Sequence, residues 1–229
     1  MQINGAIALV TGANRGLGRQ FTQQLLERGA AKVYATARRP ELIDIPGVEP
    51  LRLDITDQSS IAAAAEVATD VNLLINNAGV STYTNLVTGD LDKIRLEMDT
   101  HFWGTLGMIR AFAPRLAGGA ILNVLSALSW FNTDGATAYG AAKAAAWNLT
   151  NGVRLELAGQ KTLVTGVHLG AADTDMMAGF DIEKADPADV VRAALDGVEQ
   201  DLMEVVVDKW SAMVKASLAE DPSRFYTLP

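Results

Sequence analysis

Seven short apolar or β-branched runs alternate with longer stretches of helical period, and this alternation constrains the fold more than any other feature of the chain. The runs Ile7–Thr11, Lys32–Ala37, Val48–Asp54, Asn72–Asn76, Ala120–Leu125, Thr162–Leu169 and Met203–Val207 read as strands. Between them the spacing predicts helices over Leu17–Arg28, Gln58–Thr69, Leu91–Leu116, Ala138–Leu157 and Pro187–Glu199. Repeated strand-helix-strand units imply an α/β protein: a doubly wound, parallel, seven-stranded sheet with helices on both faces and ligands at the carboxyl ends of the strands. In the third helix Leu91, Ile94, Met98, Phe102, Ile109 and Phe112 recur at helical intervals as a stripe to be buried. Pro187 suits a first helical turn, where its missing N–H is no loss. A chain of 229 residues fits one domain over 1–229.

Behind the first strand stands TGANRGLG, Thr11 to Gly18. Glycines at 12, 16 and 18 let the strand turn sharply into a helix whose free N–H groups and dipole can face a diphosphate; the alternative is a plain flexible turn. At the end of the second strand, where an acid would hold the ribose hydroxyl of NAD, the chain reads Arg38-Arg39. Arg38 can clamp a 2′-phosphate, with Arg15 closing from the other side, which favours NADP(H); otherwise these are solvated surface charges.

Tyr139 and Lys143 stand four apart on one face of a predicted helix, where an ammonium beside a phenol lowers the phenol's pKa toward working pH. Ser126 closes the fifth strand, placed to donate to a carbonyl oxygen gaining charge. A Tyr-x-x-x-Lys pair alone also arises by chance in helices.

Taken together, the TGANRGLG loop, NNAG at Asn76–Gly79, Ser126 thirteen residues before Tyr139, and YGAAK at Tyr139–Lys143 resemble the short-chain dehydrogenase/reductase family, over about Ile3 to Val207. The resemblance implies a Rossmann-like fold with Tyr139 as proton donor or acceptor, Lys143 on the nicotinamide ribose and Ser126 orienting the substrate oxygen. It further implies a cofactor site of Gly12, Arg15, Gly16, Leu17, Gly18 and Arg38. Asp54 and Ile55 would lie at the adenine, Asn77, Ala78 and Gly79 at the central sheet and ribose, and Thr174 at the carboxamide. Members commonly form homodimers or homotetramers.

Two positions depart from the family pattern. The usual Asn of an Asn-x-x-Gly segment is His101, which can hold a water with a titratable proton of its own, or merely fill space and bond a backbone carbonyl. Leu169-Gly170 replaces Pro-Gly at the start of the loop 171–186, so that this lid is expected to be freer. Asp173 and Asp175 read as loop caps. Tyr83, Trp130, Phe131, Met176, Met177 and Phe180 lie near the expected substrate side and suggest a hydrophobic or aromatic ketone. Trp147 reads as core or subunit contact.

A net charge of −8 argues against nucleic acid, and no apolar stretch is long enough for a bilayer. The first strand begins a few residues after Met1, leaving no room for a secretory signal, and the absence of cysteine fits a reducing compartment; a cytoplasmic protein is expected. His101 and His168 are the only histidines and do not pair at metal-ligand spacing, so no metal is expected. The partner is then a small carbonyl or alcohol substrate. Three functions fit: an NADPH-dependent carbonyl reductase, an NADP-dependent alcohol dehydrogenase working oxidatively, and a non-catalytic NADP(H)-sensing protein.

Overall fold

A computed structural model describes residues 1–226. The apolar runs become β1 (Ile7–Thr11), β2 (Lys32–Ala37), β3 (Glu49–Arg52), β4 (Leu73–Asn76), β5 (Ala120–Val124), β6 (Leu163–His168) and β7 (Glu204–Val206). They form one sheet in the order β3-β2-β1-β4-β5-β6-β7, and every pairing is parallel. The strand order reverses between β1 and β4, which opens a crevice at their carboxyl ends. β1 and β2 occupy the predicted residues. β3 is shorter than expected and carries Pro50, which an edge strand tolerates because one side of it needs no ladder donors.

Alternation along β1 sends Ala8 and Val10 to one face and Leu9 to the other. On the first face they pack with Phe21 and Leu25 of α1 (Gly16–Glu27) and with Val191 and Leu195 of α6 (Pro187–Glu199). On the second, Leu9, Leu74 and Ile121 meet Ile61 of α2 (Gln58–Val67), Met108 and Phe112 of α4 (Thr105–Phe112) and Val153 of α5 (Thr137–Leu157). Pro187 does open α6, and the Asp186 carboxylate caps it by accepting from Ala188 N–H at 2.7 Å.

The long helix predicted over Leu91–Leu116 is broken. Its first part, α3 (Leu91–Met98), passes through a π-helical turn at Asp99–Gly104 before α4 resumes. A π turn adds a residue to one turn and shifts the phase of everything before it. The predicted stripe is therefore buried only in its second half, at Ile109 and Phe112, while Leu91 is 62% exposed. In the first half Glu97, Thr100 and His101 face inward instead. A further helix, α7 (Lys209–Ala216), follows β7 and was not expected from the spacing, since only Ser211 and Val214 of it are buried. No helix among the described residues is long and apolar enough to cross a membrane.

Candidate active site

Thr11, the last residue of β1, ties the glycine loop to the segment after β4. Its Oγ1 accepts from the N–H groups of Asn77 and Ala78, both at 2.9 Å, and Asn77 Nδ2 donates to the Thr11 carbonyl at 2.9 Å. Gly12 and Gly16 have φ of +69° and +54°, left-handed values that L side chains resist. A Cβ on Gly18 would run into the Gly12 carbonyl oxygen. No side chain caps the start of α1, so its first N–H groups are available to an anion. A concavity of about 290 Å³ opens there, lined by Asn14, Arg15, Gly16, Thr174 and Asp175. Leu17 is half-buried and turns back onto the core.

The other residues assigned to a dinucleotide lie along the same carboxyl edge. Arg38 is exposed just past β2, and among the described residues no carboxylate pairs with it, whereas Arg19 is held by Asp44. Arg15 leans toward the lid, 3.2 Å from Asp175. Asp54 folds over its own turn, accepting from Thr56 N–H at 3.0 Å and Thr56 Oγ1 at 2.7 Å, and Ile55 is buried beneath Gly104.

α5 brings the reactive end to this edge, and a chain of buried amides fixes its register. Asn76 Nδ2 donates to Asn123 Oδ1 at 2.8 Å, and Asn123 Nδ2 donates to Thr150 Oγ1 at 2.9 Å. Two turns earlier on α5, Lys143 is buried and its Nζ donates to the Val124 carbonyl at 2.9 Å. Lys143 Nζ is 5.5 Å from the centre of the Tyr139 ring. His101 meets that ring edge to face, centroids 5.2 Å apart. The Ser126 backbone is held from below, where His168 Nδ1–H donates to its carbonyl at 3.0 Å and the His168 ring stacks on Trp130 at 3.8 Å.

The electrostatics correct one expectation. Burial pushes the Tyr139 phenol well above its ordinary value, Ser126 draws it down, and Lys143 is not among the groups that move it. Desolvation of a would-be phenolate thus outweighs a nearby amine whose own charge is costly here: burial pulls Lys143 down to about 8, with Glu97 opposing. Burial also pulls His101 below the usual imidazole value; Lys143 acts in the same sense, while Glu97 and the Val80 carbonyl oppose.

The loop 171–186 is tethered at its neck. Gly170 N–H donates to Asp208 at 2.7 Å, and Ala172 bridges Ala185 across the neck of the loop. Asp173 and Asp175 pair with Lys184 and Arg15 and cap nothing. Tyr83, at a left-handed φ of +50°, donates its hydroxyl to the Met176 carbonyl and lies 5.3 Å from Phe180. Of the aromatic residues expected at the substrate, Trp130 is turned inward onto His168, and Phe131 is covered by Tyr226 at 5.2 Å. Trp147 packs edge-on against Trp130 at 6.3 Å.

Residues 6–185 match the family described as short chain dehydrogenase. The chain belongs to that family. A short-chain dehydrogenase from Burkholderia cenocepacia, solved in complex with NADP, is 40% identical over the full length of both chains, with a TM-score of 0.96. Among curated proteins, an uncharacterised oxidoreductase of Staphylococcus saprophyticus is 26% identical over 87% of this chain and 94% of its own. The NADPH-dependent 1-acyldihydroxyacetone phosphate reductase of Schizosaccharomyces pombe is 32% identical over 72% of this chain and 60% of its own. This short-chain dehydrogenase is accordingly an oxidoreductase of alcohol or carbonyl groups.

Three contributors were not singled out in the sequence. Thr11 was read only as a strand end and the start of the glycine loop, and Thr82 and Glu97, the latter in the charged stretch LDKIRLEMD, were not read at all. The π turn that rotates Glu97 inward leaves no mark in apolar spacing.

Proposed function

We propose that this short-chain dehydrogenase is an NADPH-dependent reductase of a hydrophobic or aromatic ketone or aldehyde. The observation that carries the proposal is the convergence of Ser126, Tyr139 and Lys143 beside a glycine cradle that a single Cβ at position 18 would fill. NADPH, when bound, supplies the hydride. The open first turn of α1, with Gly12, Gly16, Leu17 and Gly18, would hold its diphosphate. Arg38 would take the 2′-phosphate, a role supported by its lack of a carboxylate partner among the described residues and by the NADP found in the Burkholderia relative. Asp54 and Ile55 would border the adenine, Asn77, Ala78 and Gly79 the ribose side, and Thr174 the carboxamide.

Ser126 orients the carbonyl oxygen and Tyr139 gives it a proton. In the free protein burial keeps this phenol protonated, the form in which it can donate. Lys143 holds the ribose hydroxyls and returns a proton to Tyr139, with His101 behind it. The proposal includes a cytoplasmic homodimer or homotetramer; exposed Trp103 and Leu155 support self-association.

A panel of aryl and alkyl ketones with NADPH tests the activity, and Tyr139→Phe tests the donor. The variant should keep NADPH affinity and lose about 10²- to 10⁴-fold in kcat. A near-normal rate would sink the assignment of Tyr139.

A further inference from the structure

Glu97 is the most enclosed carboxylate among the described residues and no part of the chemistry above uses it. It is fully buried on α3, one turn before His101. Both its oxygens face the site's own scaffold. Oε1 accepts from Thr82 N–H at 2.6 Å and Thr82 Oγ1 at 2.9 Å. Oε2 has no hydrogen-bond partner of its own and lies 3.3 Å from His101 Nε2.

The same nitrogen is 2.7 Å from the Val80 carbonyl oxygen and 3.5 Å from Val80 N. Nitrogen and carbonyl oxygen at 2.7 Å require a hydrogen between them, so the shorter contact decides and Nε2 carries the proton. Two acceptors, a carbonyl and a carboxylate, thus converge on one N–H. Nδ1 keeps its lone pair. The Nδ1 and Cε1 edge rests against Gly79, where a Cβ would fall 2.8 Å from Cε1. The charged and titratable groups facing this imidazole are Glu97 from its own helix and Lys143 and Tyr139 from α5.

We propose that Glu97 is a positioning residue for His101: beside the Val80 carbonyl that fixes the Nε2–H tautomer, its buried carboxylate stabilises the imidazolium that forms when His101 relays a proton toward Lys143. In the step envisaged, Nδ1 takes a proton from a hydronium ion of the bulk solvent, releasing water, and that Nδ1–H bond then breaks as an N–H bond forms on the neutral Lys143 amine left by reprotonating Tyr139. The buried carboxylate offsets the cost of the transient positive charge. This replaces an amide that can only hold a water with a pair that carries the proton itself. It rests on the reductase chemistry proposed above.

Two measurements test it. Nitrogen-labelled histidine NMR of the wild-type protein at neutral pH should show two neutral rings of opposite tautomer. His101 carries its proton on Nε2 and His168 on Nδ1, and loss of one signal set in His101→Asn assigns them. In ketone reduction, Glu97→Gln should lower kcat by about 10²-fold, the lower end of what a positioned proton carrier contributes, with KM and NADPH affinity little changed. In the His101→Asn background, measured at a pH well below the Lys143 limb so that the direct effect of Glu97 on Lys143 is silent, the same change should alter kcat by less than about twofold, because the coupling partner is gone. An Nδ1–H tautomer for His101, or an equal loss of kcat in both backgrounds, overturns the role of Glu97. The NMR readout needs no turnover, so a failure to reduce any ketone overturns only the reductase reading.

Discussion

Lys143 holds an ammonium where charge is expensive. Burial pulls it to about 8, and Glu97 is the one charge that supports it. Because reduction needs the protonated amine to restore Tyr139, kcat for ketone reduction should be full below this value and fall as pH rises through about 8. In Glu97→Gln the loss of the supporting charge should move that limb to lower pH. A rate that stays flat through pH 10 would contradict the role of Lys143. Placements that depend on local structure were legible: Tyr139 and Lys143 fall on one helix, and Ser126 just past a strand end. The raised phenol was not, because the sequence shows that an amine is near but not how far the surrounding side chains desolvate the phenol.

At the scale of elements, the glycine loop and the π turn set the two ends of the site. Gly18 must lack a side chain because the Gly12 carbonyl occupies the space. Gly18→Ala should destabilise the fold by about 1–3 kcal/mol through backbone overpacking and weaken NADPH binding. Thermal unfolding should show a lower midpoint, and a variant of unchanged midpoint and affinity would mean that the turn has slack. This loop was readable because glycine marks its conformational demand directly. The π turn was not: Leu91, Ile94, Met98, Phe102, Ile109 and Phe112 keep a plausible helical period straight through it, and only the observed burial of Glu97 and His101 shows that the phase has changed. α7 escaped for a related reason, since its buried face rests on Ser211 and Val214 and leaves little apolar period to detect.

Across the whole molecule, seven parallel strands gather the glycine cradle, Arg38 and the Tyr139 helix at one edge of the sheet. The sheet itself was predictable because parallel strands buried on both faces read as short apolar runs. The tethers of the lid were not, since Arg15 with Asp175 and Tyr83 with Met176 join segments far apart in the chain. Against a net charge of −8, the arginine past β2 is the group we propose sets cofactor choice. The most direct test is a fluorescence titration of the purified protein with NADPH and with NADH, repeated for Arg38→Ala. NADPH should bind more tightly, and the substitution should remove roughly 10- to 100-fold of that affinity, the worth of one or two charge-assisted hydrogen bonds, while leaving NADH unchanged. Equal binding of the two, or tighter binding of NADH, would contradict the assignment of Arg38 and with it the NADPH-dependent reductase.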